Sequence, residues 1–391
     1  MPFRFARCPV AVALACLVAG SALPLPAQPA PDAPPAAYYP KADWASLRPD
    51  TMIMSSHAFN DRNRNGIYEV GERPIAKVAF QMKRPDGIHV LGWTNIDGFA
   101  NFQLASDPKK GDFFAPGTYS FTAIVPPGWR ATSDNVVQRR RIRALKGSPA
   151  GLVSDDLPVS VGLTPDLRIA GRLTGARASD ARVLLTGPDG RRIEVRTGPE
   201  GTFEAEVSPG RWRVEAGGRE RTVEVGFAPV RLSAFDPAAQ PAPAAGTPFM
   251  LDFDELLSSR AILELPNGYA GLDWWSWVAV QNRMYNGEGF LNGTLSGDTA
   301  IYNSSGHPAR ISSRTPFDFV GGFFTVAWAE AEGEVLRIRA WRGNDLVHED
   351  EVPLSALGPV WFDADYRGVT RIDFATDHFW QAVADDLQFR K

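Results

Sequence analysis

Apolar and polar residues alternate along most of this chain in short runs broken by Gly, Pro, Asn and Asp. Period-two alternation places successive side chains on opposite faces of a strand, so these runs predict half-buried β-strands rather than helices. Clear examples are residues 167–173, 181–185, 192–196, 202–207, 211–215 and 220–225, with Gly187-Pro188-Asp189-Gly190 and Gly198-Pro199-Glu200-Gly201 as turns between them. Further on, residues 325–329, 335–341, 345–349, 369–374 and 386–389 repeat the pattern. Helical periodicity is scarce, and the expected class is all-β.

Proline-rich stretches divide the strands into groups. Residues 28–50 and 236–248 are rich in Pro and Ala with few bulky side chains, which predicts an extended leader and an interdomain linker. A weaker boundary falls at Leu163-Thr164-Pro165-Asp166. The expected organisation is a first β-sandwich over 51–163, a second over 164–235, the linker, and a jelly-roll sandwich over 249–391. Ahead of these, Arg4 and Arg7 precede an apolar stretch at 10–22 and small residues at Gly20-Ser21-Ala22 and Ala27, the pattern of an export signal over 1–27. That stretch is shorter than the roughly 20 residues a spanning helix needs, and no later segment is long and apolar enough. The expected location is therefore exported: secreted, cell-surface or periplasmic.

Export changes the chemistry on offer. Cys8 and Cys16 both lie inside the signal, so the remaining chain has no disulfide and no thiolate. The formal charge of −4 becomes −6 without Arg4 and Arg7, which argues against nucleic acid as a partner. One basic run, Arg139-Arg140-Arg141-Ile142-Arg143 with Lys146, has no aromatic residue beside it. It reads as a solvated strand face, an interdomain contact, or a contact with a polyanion or an outer-leaflet phosphate.

The stretch with the most specific chemistry is residues 61–72. Asp61, Asn63 and Asn65 stand at positions 1, 3 and 5 of a twelve-residue loop, with Gly66 at the sharp turn. Ile67 offers its carbonyl at position 7, Glu69 stands at 9 and Glu72 at the bidentate position 12. Ca²⁺ takes six to eight hard oxygens from a loop that bends back on itself, and this spacing supplies them. Strand-like sequence on both sides, with Pro74 just downstream, makes the loop a clip between strands rather than part of a helical sensor. The alternative is a polar turn that holds no metal.

Phe59-x-Asp61-x-Asn63-x-Asn65-Gly66, Gly71-Glu72, Val78, Thr94-Asn95-x-Asp97-Gly98-x-x-x-Phe102 and Pro116-Gly117-Thr118-Tyr119 resemble a B-type repeat of the Sdr family of bacterial surface proteins, and related collagen-adhesin B modules. The resemblance covers roughly 52–135 and implies an immunoglobulin-like sandwich, calcium held by Asp61, Asn63, Asn65, Ile67, Glu69 and Glu72, and a rigid stalk role. Glu69 departs from the usual Asp, and a single copy replaces the usual tandem array. Residues 166–230 are similar to carboxypeptidase regulatory-like, transthyretin-type modules, with Gly201-x-Phe203 ahead of Pro209-Gly210-x-Trp212-x-Val214. That likeness implies spacer duty.

Residues 249–391 hold seven of the eleven tryptophans. Phe253-Asp254-Glu255, Pro266-Asn267-Gly268-Tyr269-x-Gly271-Leu272-x-Trp274, Asn303-x-x-Gly306-x-Pro308-Ala309 and Asp385-Asp386-Leu387 resemble jelly-roll modules of exported bacterial proteins that look like carbohydrate-binding domains. Trp274, Trp275 and Trp277 cannot all point inward from one strand, so at least one is expected in a groove or on the surface, with Tyr269 and Tyr285 as neighbours. Together these are the candidate ligand site for a polysaccharide, a surface glycan or another surface protein; the alternative is that they fill the core. Adjacent first and last jelly-roll strands would bring Asp254 near Asp385, a possible second calcium site or else solvated charges.

No catalytic constellation is present. His-Glu-x-x-His and Gly-x-Ser-x-Gly are absent, and the five histidines stand singly. Glu330, Glu332 and Glu334 alternate as if on one strand and offer the nearest approach to a hydrolytic carboxylate pair. The expectation is a non-catalytic binding or adhesion protein, the rival a structural component without a specific ligand.

Overall fold

The computed structural model describes residues 52–103, 114–147, 151–156, 160–257, 261–282, 284–285 and 287–391. The expected signal (1–27) and leader (28–50) lie outside the described residues. The alternating runs become strands throughout, and the fold is all-β, with a single short α-helix, Glu288–Gly293, among the described residues.

Two sheets face each other in the first module. Ile53–Asn60 pairs antiparallel with Phe99–Gln103 and Arg73–Pro74 and parallel with Val161–Pro165, which continues to Trp129–Ala131. The opposite sheet runs His89–Trp93, Ala79–Lys83, Gly117–Ile124, Val137–Ala144, Leu152–Ser154. Met54, Phe80, Phe102, Tyr119, Phe121 and Leu163 close the space between them. Strand Val161–Pro165 completes this sandwich and runs through the expected boundary at 163/164.

The second module stacks Thr202–Glu206, Arg168–Arg172 and Val230–Leu232 on the four-stranded sheet Arg192–Arg196, Arg182–Thr186, Gly210–Ala216, Arg219–Val225. Trp212 is fully buried between the layers and donates its indole N–H to Ser208 O at 2.8 Å.

The C-terminal sandwich is built on three long strands, Ala309–Val326, Val360–Thr376 and Ala382–Arg390. Pro248–Leu251 pairs with Ala382–Arg390, so first and last strands do lie side by side. The Pro/Ala segment before it does not keep the modules apart. Val230–Leu232 pairs in parallel with Trp361–Asp363, and one thirteen-stranded sheet runs from the second module into the third. A linker's composition reports its own stiffness and says nothing of which strand edges meet beyond it. At this seam Arg221, nearly buried, donates to the Asp363 carboxylate and carbonyl and to Ser233.

Among the described residues no helix is long and apolar enough to cross a membrane.

Candidate calcium loop and aromatic face

Asp61 enters the loop from a strand whose edge it shares with Leu163, and its carboxylate is completely buried. The chain winds around that carboxylate. Oδ1 accepts the Arg64 and Asn65 N–H groups at 2.6 and 3.2 Å, and Oδ2 accepts Gly66 N–H at 2.7 Å. Gly66 has φ +75°, and a Cβ there would stand 3.0 Å from Thr132 O, so glycine is required by both dihedral and space. Asn63 Oδ1 accepts Asn65 N–H at 3.0 Å and Asn65 Oδ1 accepts Ile67 N–H at 2.8 Å, successive turns that keep the odd-numbered side chains on one side.

The far half of the loop folds back onto the same side. Glu69 accepts from Asn63 Nδ2 at 2.6 Å and Asn65 Nδ2 at 3.3 Å. Glu72 accepts Arg62 N–H at 3.1 Å and Glu69 N–H at 3.2 Å. Burial, reinforced by the neighbouring Asp61 charge, pushes the Glu72 carboxyl up to about 7. The donor set is oxygen-only and mixes carboxylate with amide oxygen, which fits a hard cation and no thiophilic metal. Among the described residues no three His, Cys, Asp or Glu side chains are grouped closely enough to hold an ion by themselves. Any cation here needs the Asn oxygens and a backbone carbonyl as well.

The loop also sits where the modules meet, which its spacing did not signal. Arg62 stacks on Phe227 of the second module, 4.5 Å from the ring centre, and interacts favourably with Asp385 and Asp386 of the third. Arg73 donates to Gly297 O at 2.6 Å and Lys77 pairs with Glu288 at 3.3 Å. Arg62 stands at a loop position without a ligand role, Arg73 and Lys77 lie just past the loop, and all three are engaged by residues distant in sequence.

Asp254 and Asp385 are brought to the same segment, 294–299, from two sides. Asp385 accepts Leu295 and Ser296 N–H at 2.6 and 3.1 Å, while Asp254 accepts Asp298 and Thr299 N–H at 3.0 Å each. Burial, reinforced by Asp386, pushes Asp385 up to about 8. Both donors to Asp254 share its Oδ1.

The aromatic candidates separate. Trp274 and Trp277 are 3% and 1% exposed, and both belong to the core: Trp274 packs on Phe253 and Phe389, Trp277 on Phe374. Their expected ligand role is corrected accordingly. Trp275 points the other way and is 61% exposed. Ser276 at φ +61° adds the extra residue that lets rings 274 and 277 both face inward around it. Tyr269 packs against Trp274 and donates its hydroxyl to Glu255, and Tyr285 packs on Phe290 and Tyr302, so neither stands beside Trp275 as a platform. Trp275 instead pairs with Arg310, followed across the same face by Asp373, Arg339 and Glu349. Arg310 grips Asp373 with two bonds of 2.7 and 3.1 Å.

The three glutamates are not on one strand. Glu330 lies in the 3₁₀ turn Ala329–Ala331, Glu332 follows it, and Glu334 precedes Val335–Arg342. Glu332 accepts Ala356 N–H at 2.8 Å and Glu334, buried, accepts Val335 and Asp377 N–H at 2.9 and 3.1 Å. Gly333 at φ +86° makes this a turn, and its carboxylates tie that turn down.

No protein-family model matches the chain, and no curated protein matches it. Among solved structures, the Bacillus anthracis TIE protein is 11% identical over 47% of this chain, which spans 32% of that one, with a TM-score of 0.20. The K2 cleaved adhesin domain of Lys-gingipain is 12% identical over 37% of this chain and 100% of that one, TM-score 0.25. BcpA, the major pilin subunit of Bacillus cereus, is 9% identical over 81% of this chain and 99% of that one, TM-score 0.20. At these scores the similarities carry nothing about function.

Proposed function

We propose that this is an exported, non-catalytic β-protein that holds calcium in the 61–72 loop and uses its C-terminal sandwich for adhesion or ligand presentation at a cell surface, with carbohydrate as the ligand class. Asp61, Asn63, Asn65, the Ile67 carbonyl, Glu69 and Glu72 would supply the ion's oxygens, closing a loop already wound about Asp61. The observation that carries the binding role is Trp275: a large ring, 61% exposed, at the end of a row of polar side chains on one sheet face. An exposed indole stacks on the apolar face of a sugar, while the neighbouring Arg and Asp groups bond its hydroxyls.

A glycan array probed with the full chain and with Trp275→Ala tests this. Binding by the wild type that the variant loses supports the reading. Absence of any glycan signal favours the rival, a structural component without a specific ligand. Burial of Trp274 and Trp277 lends weight to that rival, since it leaves one exposed ring among the three, the minimum that alternation required. Calorimetric titration with Ca²⁺ tests the loop separately, and silence there removes the metal.

A further inference from the structure

The outer face of the five-stranded sheet in the first module is divided into two chemically distinct halves. Register fixes which residues share it: Trp93 lies across from Ala79 and that from Ile124; Leu91 from Gln81, Thr122 and Val137. Cross-strand partners point to the same side, so Leu91, Trp93, Ile124 and Val137 form one apolar end, with exposures of 47, 52, 45 and 57%. The next rows carry Lys83 and Arg139, then Arg141. Their side chains are exposed and have no ion-pair partner among the described residues. Nearby carboxylates are already engaged: Asp86 with Arg84 at 2.8 Å, Asp155 with Arg143 at 2.5 Å, and Asp156 on the Arg141 backbone N–H at 2.8 Å. Arg140, the alternate residue, turns inward, donates to Ser55 O and lies over Phe121, which leaves the outward cations evenly spaced along their strand.

We propose that this face docks on an anionic lipid surface, the cations meeting headgroup phosphates and the apolar end entering the interface. Charge complementarity selects the partner. Unpaired cations need an anion, and a tryptophan surrounded by aliphatic side chains suits the boundary between headgroups and acyl chains. An acidic polysaccharide would satisfy the cations but would set Leu91, Ile124 and Val137 against hydrated sugar. The cationic half would give a salt-sensitive attraction, and the adjoining apolar end on the same sheet face would enter the interface.

The test uses the full chain with vesicles of phosphatidylcholine and phosphatidylglycerol whose acyl chains carry bromine near the headgroup. The expected result is a partial quench of tryptophan emission that weakens with added salt and is absent with phosphatidylcholine alone. Trp93→Phe keeps an apolar ring and must lose most of that quench, which separates this face from attachment through any other part of the chain. Arg139→Glu with Arg141→Glu should lower the vesicle affinity at least about 25-fold, roughly fivefold for each cation removed. Val137→Ser gives an independent, milder variant should the double charge reversal disturb folding, and it should weaken binding severalfold. A quench that survives Trp93→Phe, an affinity indifferent to the charge reversal, or retention on dextran sulfate with no vesicle binding would each overturn the proposal.

Discussion

Replacing Asp363 by Ala puts the seam between the second and third modules under a defined stress. Arg221 is 5% exposed on its side chain and gives Nη1 to Ser233 O and Oγ at 3.2 and 3.0 Å; Nη2 goes to Asp363 O at 3.0 Å and to its carboxylate. Removing the carboxylate leaves a buried guanidinium with neutral acceptors only. Stranding a buried charge costs about 3–5 kcal/mol, and the surviving carbonyl and hydroxyl partners place this case near 3 kcal/mol. For a cooperative unit of this size each kcal/mol lowers Tm by about 2–4 °C, so the expected loss is roughly 6–12 °C. Because Val230–Leu232 and Trp361–Asp363 are hydrogen-bonded neighbours, the second and third modules should shift together as a single transition in differential scanning calorimetry. Arg221→Met with Asp363→Leu, which removes both charges, should recover most of the loss. If Asp363→Ala costs under about 1 kcal/mol, or the double variant is no better than the single one, the ion pair does not hold the seam and the reasoning fails.

Other outcomes follow from the same geometry. Calcium at a hundredfold excess over Kd should stabilise the protein by about 2.7 kcal/mol, and Asp61→Ala should abolish that increment in a chelator-dependent melting scan. His57 is buried against Tyr68 and Phe99, and burial lowers its pKa from 6.5 to about 4. The folded state thus favours the neutral ring: its contribution is complete above pH 6.5 and is lost as pH falls toward 4, amounting to about 2 kcal/mol at pH 5. Denaturant melts of His57→Gln should show that much less pH dependence across this window; an unchanged slope refutes the assignment. Trp277→Ala should cost about 3–5 kcal/mol by emptying core volume, whereas Trp275→Ala should change stability by under about 0.5 kcal/mol. Chemical denaturation of the two variants side by side checks the division between core and surface rings.

The alternating runs determined the strands themselves. Residues 192–196 and 202–207 became Arg192–Arg196 and Thr202–Glu206 because a two-residue period has one buried face, and neighbours in sequence suffice to reveal it. The loop at 61–72 was equally legible, since its turn chemistry is local: Asp61 captures N–H groups three to five residues away. Trp275's exposure was half legible; alternation required one ring outside, but only the left-handed Ser276 decided which two went in.

What lay hidden depends on contacts across long stretches of chain. Residues 330–334 alternate in sequence but form a turn: Gly333 takes a left-handed φ, and the backbone N–H groups of Ala356 and Asp377 donate to Glu332 and Glu334. The basic run showed no aromatic in sequence, and strand pairing set Trp93 on the same face from more than forty residues away. The joining of the second and third modules into one sheet was equally unwritten in the Pro/Ala segment between them. Local hydrophobic period and turn residues choose an element's type, whereas edge pairing, module seams and shared faces are chosen by which distant surfaces exclude water and satisfy backbone groups together.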